Sequence, residues 1–444
     1  MKYTYIIALT IFSLALGACN KFLEVQPKGV LIPEKIEAYE GLLNSPTMNN
    51  TFSIEQLSLT DDNFNSFDKL NQSAAANCYY WRPAITINET SNPEIWGTGY
   101  RAIYDANVII NRVMESQGGT DAQKLSIKGE ALVVRALCYL EMLTVFTKVY
   151  DPATAATDPG LPLVSNLDVT DKVPGRSTLK ETFDHIVNDV ATAIPYLPTT
   201  NVNRYRVNSY AAYALLSRIY LYMGDFPNAL KYVELALKGP HSLLDYNTYT
   251  NKNQIPVYDL NPEVLWQRGS VSGSAVNMLY SNDLKSYFNT ADIRYSYLAL
   301  TNSTGTRRSA LPGRYTYGIG FPEMYLTKAE LLARDNKTEE AMALVNLLRK
   351  KRIKTISYVD QTAATPEEAL TKVLAERRRE LAFGGLRWFD MKRLDREGRI
   401  PEVQRINVTT AEVEATLPPH SPKYTFEIPV RVLNFNPGME RNHK

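Results

Sequence analysis

Apolar residues recur at spacings of three and four along much of the chain, which predicts a mainly α-helical protein. In "SYAAYALLSRIYLYMGDFPNALKYVELALK", Ala211, Leu215, Ile219 and Tyr222 form one stripe. Gly224-Asp225 interrupts it, and Ala229, Val233 and Ala236 resume it. "EMYLTKAELLARDNKTEEAMALVNLLRKKR" repeats the device. Tyr325, Ala329 and Leu332 precede a turn at Asp335-Asn336, and Ala341, Leu344, Val345 and Leu348 follow it. A small alanine follows each turn, where two helices can approach closely. Such pairs follow the tetratricopeptide (TPR) pattern. One pair cannot bury its own stripe, so the pairs are expected to stack. Helix starts are marked as well. Thr120 with Gln123, and Thr178 with Glu181, have capping-box spacing. Thr365-Pro366-Glu367-Glu368 adds proline at the first helical position.

Between the periodic stretches, residues 47 to 91, 150 to 176, 239 to 274 and 289 to 322 are rich in Asn, Ser, Thr, Gly, Pro and aromatics. Loops of this length are either functional or disordered. Their many large aromatics point to ordered insertions packed on the helices, since disordered segments lack such residues. The expectation is an irregular TPR-like helical-hairpin solenoid core with long ordered loop insertions on one face.

The N-terminus has a different pattern. Lys2 precedes an apolar run from Tyr3 to Leu16, followed by Leu16-Gly17-Ala18-Cys19. The run is shorter than the roughly 20 residues of a spanning helix. Its charged start and small-residue end form an export signal, and the final four residues look like a bacterial lipobox. We expect cleavage after residue 18 and a lipid on Cys19, leaving residues 19 to 444 as one domain. The two remaining cysteines are Cys78 and Cys138. Sequence leaves open whether they pair.

Charge narrows the partners. With 49 basic and 47 acidic residues, the chain lacks the concentrated positive field that nucleic acid requires. Basic residues cluster in "ERRRELAFGGLRWFDMKRLDREGR", but Glu376, Glu380, Asp390, Asp395 and Glu397 interleave with them. This stretch reads as paired surface charge.

Catalytic motifs are sparse. His185, His241, His420 and His443 are scattered, and neither HExxH nor CxxC occurs. Gly269-Ser270-Val271-Ser272-Gly273 has valine where a nucleophile elbow needs serine. Gly318-Ile319-Gly320 lacks the third glycine of a phosphate loop. Asp61-Asp62 is the one attractive carboxylate pair outside a helix, and a solvated loop or helix cap is the favoured reading of it. No metal or cofactor is implied. Aromatics are more telling. "NCYYWRP" sets Tyr79, Tyr80 and Trp81 together in a polar insertion. Such rings either stack on the C–H face of a sugar or pin the insertion to the core. Trp96, Trp266 and Trp388 lie beside helical stretches and read as core.

Taken in order, these segments resemble the SusD/RagB family of surface lipoproteins from Bacteroidetes. "CNKFLEVQPKG" is similar to the family's start, and "LSLTDDNF" to its early Asp-containing segment. "WGTGYRAIYDANVIINRV" matches through Trp96, Tyr100, Ile103 and Asn107. "GEALVVRALCYLEMLTVF" matches through Gly129, Glu130, Ala131, Arg135, Ala136 and Tyr139. The C-terminal "FEIPVRVLNFNPGMERNHK" keeps Ile428-Pro429 and Asn436-Pro437 at altered spacing. The resemblance implies a non-catalytic lipoprotein on the bacterial outer membrane. It would cap a SusC-like TonB-dependent β-barrel transporter and capture oligosaccharides, or in some cases peptides, for uptake. Early and later loops would meet on the face turned toward the transporter. The expected site is shallow, built from Tyr79, Tyr80 and Trp81, with Tyr295, Tyr315 or Tyr317 opposite and Asp62 and Arg82 bonding hydroxyls. The competing readings are a secreted carboxylate-dependent glycoside hydrolase and a surface protein that binds the transporter alone.

Overall fold

Thr120 accepts a hydrogen bond from the Gln123 amide while the Gln123 side chain accepts one from the Thr120 amide, so the predicted capping box forms. Thr178 and Glu181 form the second. Thr365 accepts from the Glu368 amide, with Pro366 opening the helix. These starts fall within a computed structural model that describes residues 33–167, 174–271, 278–302, 305–309 and 316–443. Cys19, the signal segment and Tyr315 lie outside the described residues.

The longer helices are α1 (Glu94–Arg112), α2 (Asp121–Phe146), α3 (Leu179–Ala193), α4 (Ser209–Met223), α5 (Phe226–Ala236), α6 (Phe321–Arg334), α7 (Thr338–Arg349), α8 (Pro366–Glu380) and α9 (Arg387–Arg396). From α1 to α8 each packs on the next, and α6 also packs on α8. The protein is thus mainly α, a TPR-like solenoid of stacked helical hairpins. Both hairpins read from the sequence are present. Gly224 ends α4 at φ 81°, a left-handed conformation that glycine adopts without a Cβ clash. The stripe of Ala211, Leu215, Ile219, Tyr222, Ala229, Val233 and Ala236 is buried. In the second hairpin Ala329, Leu332, Ala341, Val345 and Leu348 are buried, while Tyr325 and Leu344 are half-buried.

The polar residues of the helical motifs fasten neighbouring helices. Arg135 on α2 donates two hydrogen bonds to Asp189 on α3 (2.8 and 2.7 Å) and one to Asn107 on α1 (2.7 Å). Glu130 accepts two from Arg206, just before α4 (2.7 and 2.6 Å). At the far end of α2, the Trp388 indole and the Lys392 ammonium on α9 donate to the Thr144 carbonyl (3.1 and 2.9 Å). They occupy a carbonyl that the helix end leaves without an intrahelical partner.

The charged C-terminal stretch departs from its reading. Its charges pair, but in the interior. Glu376, Arg377, Arg378, Asp390 and Arg393 on α8 and α9 are all buried. Arg377 donates to Asp390 (2.8 Å), and Arg393 donates to both Asp390 (2.9 Å) and Glu330 (2.5 and 2.8 Å). Cys78 and Cys138 are free and buried. Trp96, Trp266 and Trp388 are core residues, as expected. Among the described residues, no helix is long and apolar enough to cross a membrane.

Candidate functional site

Strands are short and lie outside the longer helices. β1 (Asn63–Phe64) comes from the early insertion. β2 (Leu279–Tyr280), β3 (Ala299–Asn302) and β4 (Gly305–Arg308) come from the later chain. They form one antiparallel sheet in the order β1-β2-β4-β3, with Asn63 opposite Tyr280 and Leu279 opposite Arg307. The early insertion is therefore joined to the later one through β2. Ser281 secures the junction: its amide donates to the Asp62 carbonyl (2.9 Å) and its hydroxyl to the Asp61 carbonyl (2.7 Å).

A second antiparallel pair, β5 (Val403–Ile406) and β6 (Val413–Leu417), lies beside this sheet. Arg405 joins the two. Its guanidinium donates to the carbonyls of Tyr79 (2.9 Å), Asn63 (3.0 Å), Ser58 (3.1 Å) and Thr60 (3.0 Å). It also lies over the rings of Tyr79 and Trp81, at 4.1 and 4.2 Å from their centroids. Burial pushes this guanidinium down to about 10. The fixed carbonyl dipoles and ring faces supply the favourable field that a carboxylate supplies elsewhere.

This contact corrects the expected aromatic platform. Tyr79 and Trp81 are 2% and 1% exposed, and Tyr80 is buried beside them. The Trp81 indole donates to the Leu59 carbonyl (2.8 Å). The Tyr80 hydroxyl lies 2.6 Å from the Phe67 carbonyl oxygen and 3.0 Å from Glu414. An aromatic cluster does gather a flat polar partner here, but that partner is the chain's own arginine. The rings offer no open face to a sugar.

The other expected residues are engaged too. Asp62 accepts from Arg378 (2.7 Å) and is buried, with burial raising its carboxyl against the pull of Arg378. Asp61 takes a two-pronged bond from Arg387 (2.7 and 2.6 Å). Burial opposes ionisation there, but Arg387 and Arg378 hold Asp61 well below the usual carboxylate range. The pair is neither a solvated loop nor a free acid–base couple. Arg82 ties down its own insertion through Asn77 (2.6 Å) and the Asn71 carbonyl (2.5 Å). Tyr295 is half-buried, stacked on Phe288 with its hydroxyl 3.3 Å from that of Thr306. Tyr317 lies flat against Phe52, with centroids 4.2 Å apart.

Between the two sheets lies an open cleft of about 580 Å³. β1 and the start of the short helix Asn282–Ser286, with Ser281 before it, form one wall, and residues 401–408 form the other. Consecutive residues of β5 line it, so the strand presents its edge and not a face. β5 pairs only with β6, and β1 only with β2, among the described residues. The lining combines carboxamides (Asn63, Asn282, Gln404, Asn407) with Phe64, Tyr79, Val403 and Ile406. Asn63 is buried, with neither side-chain atom hydrogen-bonded. Carboxamides beside apolar patches can bond hydroxyls and cover C–H surface. Of the expected site residues that are described, only Tyr79 borders this cleft. A smaller cavity of about 150 Å³ borders Glu263, Glu323 and Glu380. Each is taken by arginine: Glu263 by Arg352 (2.7 Å), Glu323 by Arg218 (2.6 Å), and Glu380 by Arg294 and Arg352 (2.7 and 2.8 Å).

Two family models match the chain in succession. Residues 21–221 match the SusD-like model described as starch-binding associating with outer membrane, and residues 246–444 match the SusD family model. The chain belongs to the SusD/RagB family. Among curated proteins it is 25% identical over 285 residues to SusD-like protein P25 of Formosa agariphila. That match covers 60% of this chain and spans about half (51%) of the relative. Among solved structures, a SusD superfamily protein of Bacteroides thetaiotaomicron aligns with a TM-score of 0.76 at 21% identity, covering 92% of this chain and 100% of the other. A laminarin-binding SusD-like protein aligns at 0.67 and 18% identity, covering 93% and 99%. These structural likenesses show that this SusD/RagB chain shares the fold.

Proposed function

We propose that this SusD/RagB protein is a non-catalytic lipoprotein of the bacterial outer-membrane surface. It binds oligosaccharide in the cleft between β1 and β5 and works with a SusC-like TonB-dependent transporter in its uptake. Membership of a glycan-binding family carries this reading. The laminarin-binding relative supports a carbohydrate ligand. The carboxamide-rich lining supports the cleft as the site. Lipid on Cys19 would hold the protein at the membrane, and several acyl chains anchor stably where one does not. The arginine pairing of Asp61, Asp62, Glu263, Glu323 and Glu380 weighs against these five as the acid and nucleophile of a hydrolase, because such groups must be free to titrate.

A second reading, peptide capture, draws on one observation. The cleft lies between two open strand edges, and an extended peptide can add a strand to such an edge.

Calorimetric titration with oligosaccharides and reducing-end analysis test the proposal together. The expected result is binding without release of new reducing ends. An Asn282→Ala/Gln404→Ala double variant removes two exposed hydrogen-bonding groups from opposite walls. Each neutral hydrogen bond contributes about 0.5–1.5 kcal/mol, so affinity is expected to fall roughly five- to 150-fold. Turnover would move the assignment to a hydrolase. Binding of extended peptides alone would favour the second reading.

A further inference from the structure

The charges around the cleft do not balance. Its wall carries Asp61, Asp283 and Glu402, with Asp62 directly behind. Against these four carboxylates stand three guanidiniums, Arg378, Arg387 and Arg405. The two signs also differ in position. Arg405 and Arg378 are buried, and Arg387 has 13% of its side chain exposed. Arg405 turns its donors onto four backbone carbonyls. Arg378 is held between Asp62 (2.7 Å) and Asp283 (2.6 Å), and Arg387 by Asp61. The open charges are negative. The Asp283 side chain is 62% exposed, and Glu402 is exposed with one oxygen accepting from Gln404 (2.7 Å). No lysine lines the cleft among the described residues. Lys285, two positions after Asp283 on the helix Asn282–Ser286, points to another side of that helix.

An anionic ligand entering here would approach Asp283 and Glu402, and among the described residues that line the cleft no cation is free to receive it. Carboxylates and sulfates are held by unengaged Arg or Lys donors, and Arg378, Arg387 and Arg405, the arginines described at this cleft, are all committed. We infer that the cleft selects an uncharged or amine-bearing glycan and rejects uronic acids and sulfate esters, an inference that rests on the glycan reading above. Recognition then falls to the carboxamides and the strand edge, which bond hydroxyls without regard to charge. The repulsion acts at exposed carboxylates, so it is strongest at low salt and screened at high salt.

The test is titration at low and high salt with neutral laminarin oligosaccharides, chitosan oligosaccharides, alginate oligosaccharides and sulfated carrageenan oligosaccharides. It uses the wild type and an Asp283→Asn/Glu402→Gln variant confirmed to melt like the parent. The wild type is expected to bind a neutral or amine-bearing glycan at least tenfold more tightly than either anionic one at low salt. The variant and high salt should each narrow that gap. Equal or tighter wild-type binding of alginate or carrageenan would overturn the inference while leaving the glycan reading intact. A gap that the variant does not narrow would also overturn it. Binding of none of the four glycans would overturn the glycan reading itself, and this inference with it.

Discussion

Replacing Arg405 by methionine is expected to destabilise the protein by about 3–5 kcal/mol, although the new side chain fills much of the same space. Four buried carbonyls, of Ser58, Thr60, Asn63 and Tyr79, would lose their donor together. A thioether cannot replace it. Nor does it restore the attraction of a cation held between two ring faces. The damage should be polarised: amides of β5, β6 and the Ser58–Asn63 segment should exchange faster, while α4 and α5 stay protected. Urea denaturation and hydrogen exchange together check this. A wild-type midpoint would mean that the clamp adds nothing to the fold, and Tyr79 and Trp81 would again need another partner.

Arg294→Met is expected to cost a similar amount for the opposite electrostatic reason. Arg294 is buried against Asp292 (2.7 Å), Glu376 (2.7 Å) and Glu380 (2.7 Å). Its removal leaves Asp292 without its guanidinium and weakens the compensation of Glu376 and Glu380, which keep Arg349, Arg379 and Arg352; breaking a buried pair costs about 3–5 kcal/mol. Replacing the whole cluster by apolar residues need not. The loss should depend on pH. Burial opposes ionisation of Glu376, but Arg294, Arg379 and Arg349 bring its carboxyl down to about 2. A carboxylate with a depressed folded pKa stabilises the fold fully above its unfolded value of 4.5. That contribution is lost as pH falls toward 2. In the variant Glu376 should protonate at higher pH. The stability gap between wild type and variant should therefore be largest near neutrality and shrink below about pH 4.5. A gap independent of pH would show that Arg294 acts through packing alone.

The helical core was legible because its signals are local. Thr120, Thr178 and Thr365 cap helices within three residues of themselves, and the alanine-bearing hairpins turn on adjacent positions. The face that carries the cleft was not legible, because its contacts are distant. Arg405 reaches the Tyr79 carbonyl across 326 positions. A Tyr-Tyr-Trp cluster carries the same sequence signal whether it receives a sugar or a guanidinium. The β5–β6 pair escaped notice for a related reason. Its inward residue is arginine, so the strand lacks the apolar alternation by which half-buried strands are recognised. The arginine- and glutamate-rich sequences of α8 and α9 look solvent-facing for as long as their partners Glu330, Arg294 and Asp61 are out of sight.

The central claim is that a glycan occupies the cleft between β1 and β5. A crystal structure of the protein with an oligosaccharide that it binds in titration tests this most directly. The account predicts sugar density along the open edge of β5, with hydroxyls in hydrogen-bond reach of Asn282 and Gln404. It also predicts Arg405 unmoved between Tyr79 and Trp81. Sugar ordered elsewhere on the surface with the cleft empty, or Arg405 displaced so that a sugar ring stacks on Trp81, would contradict it.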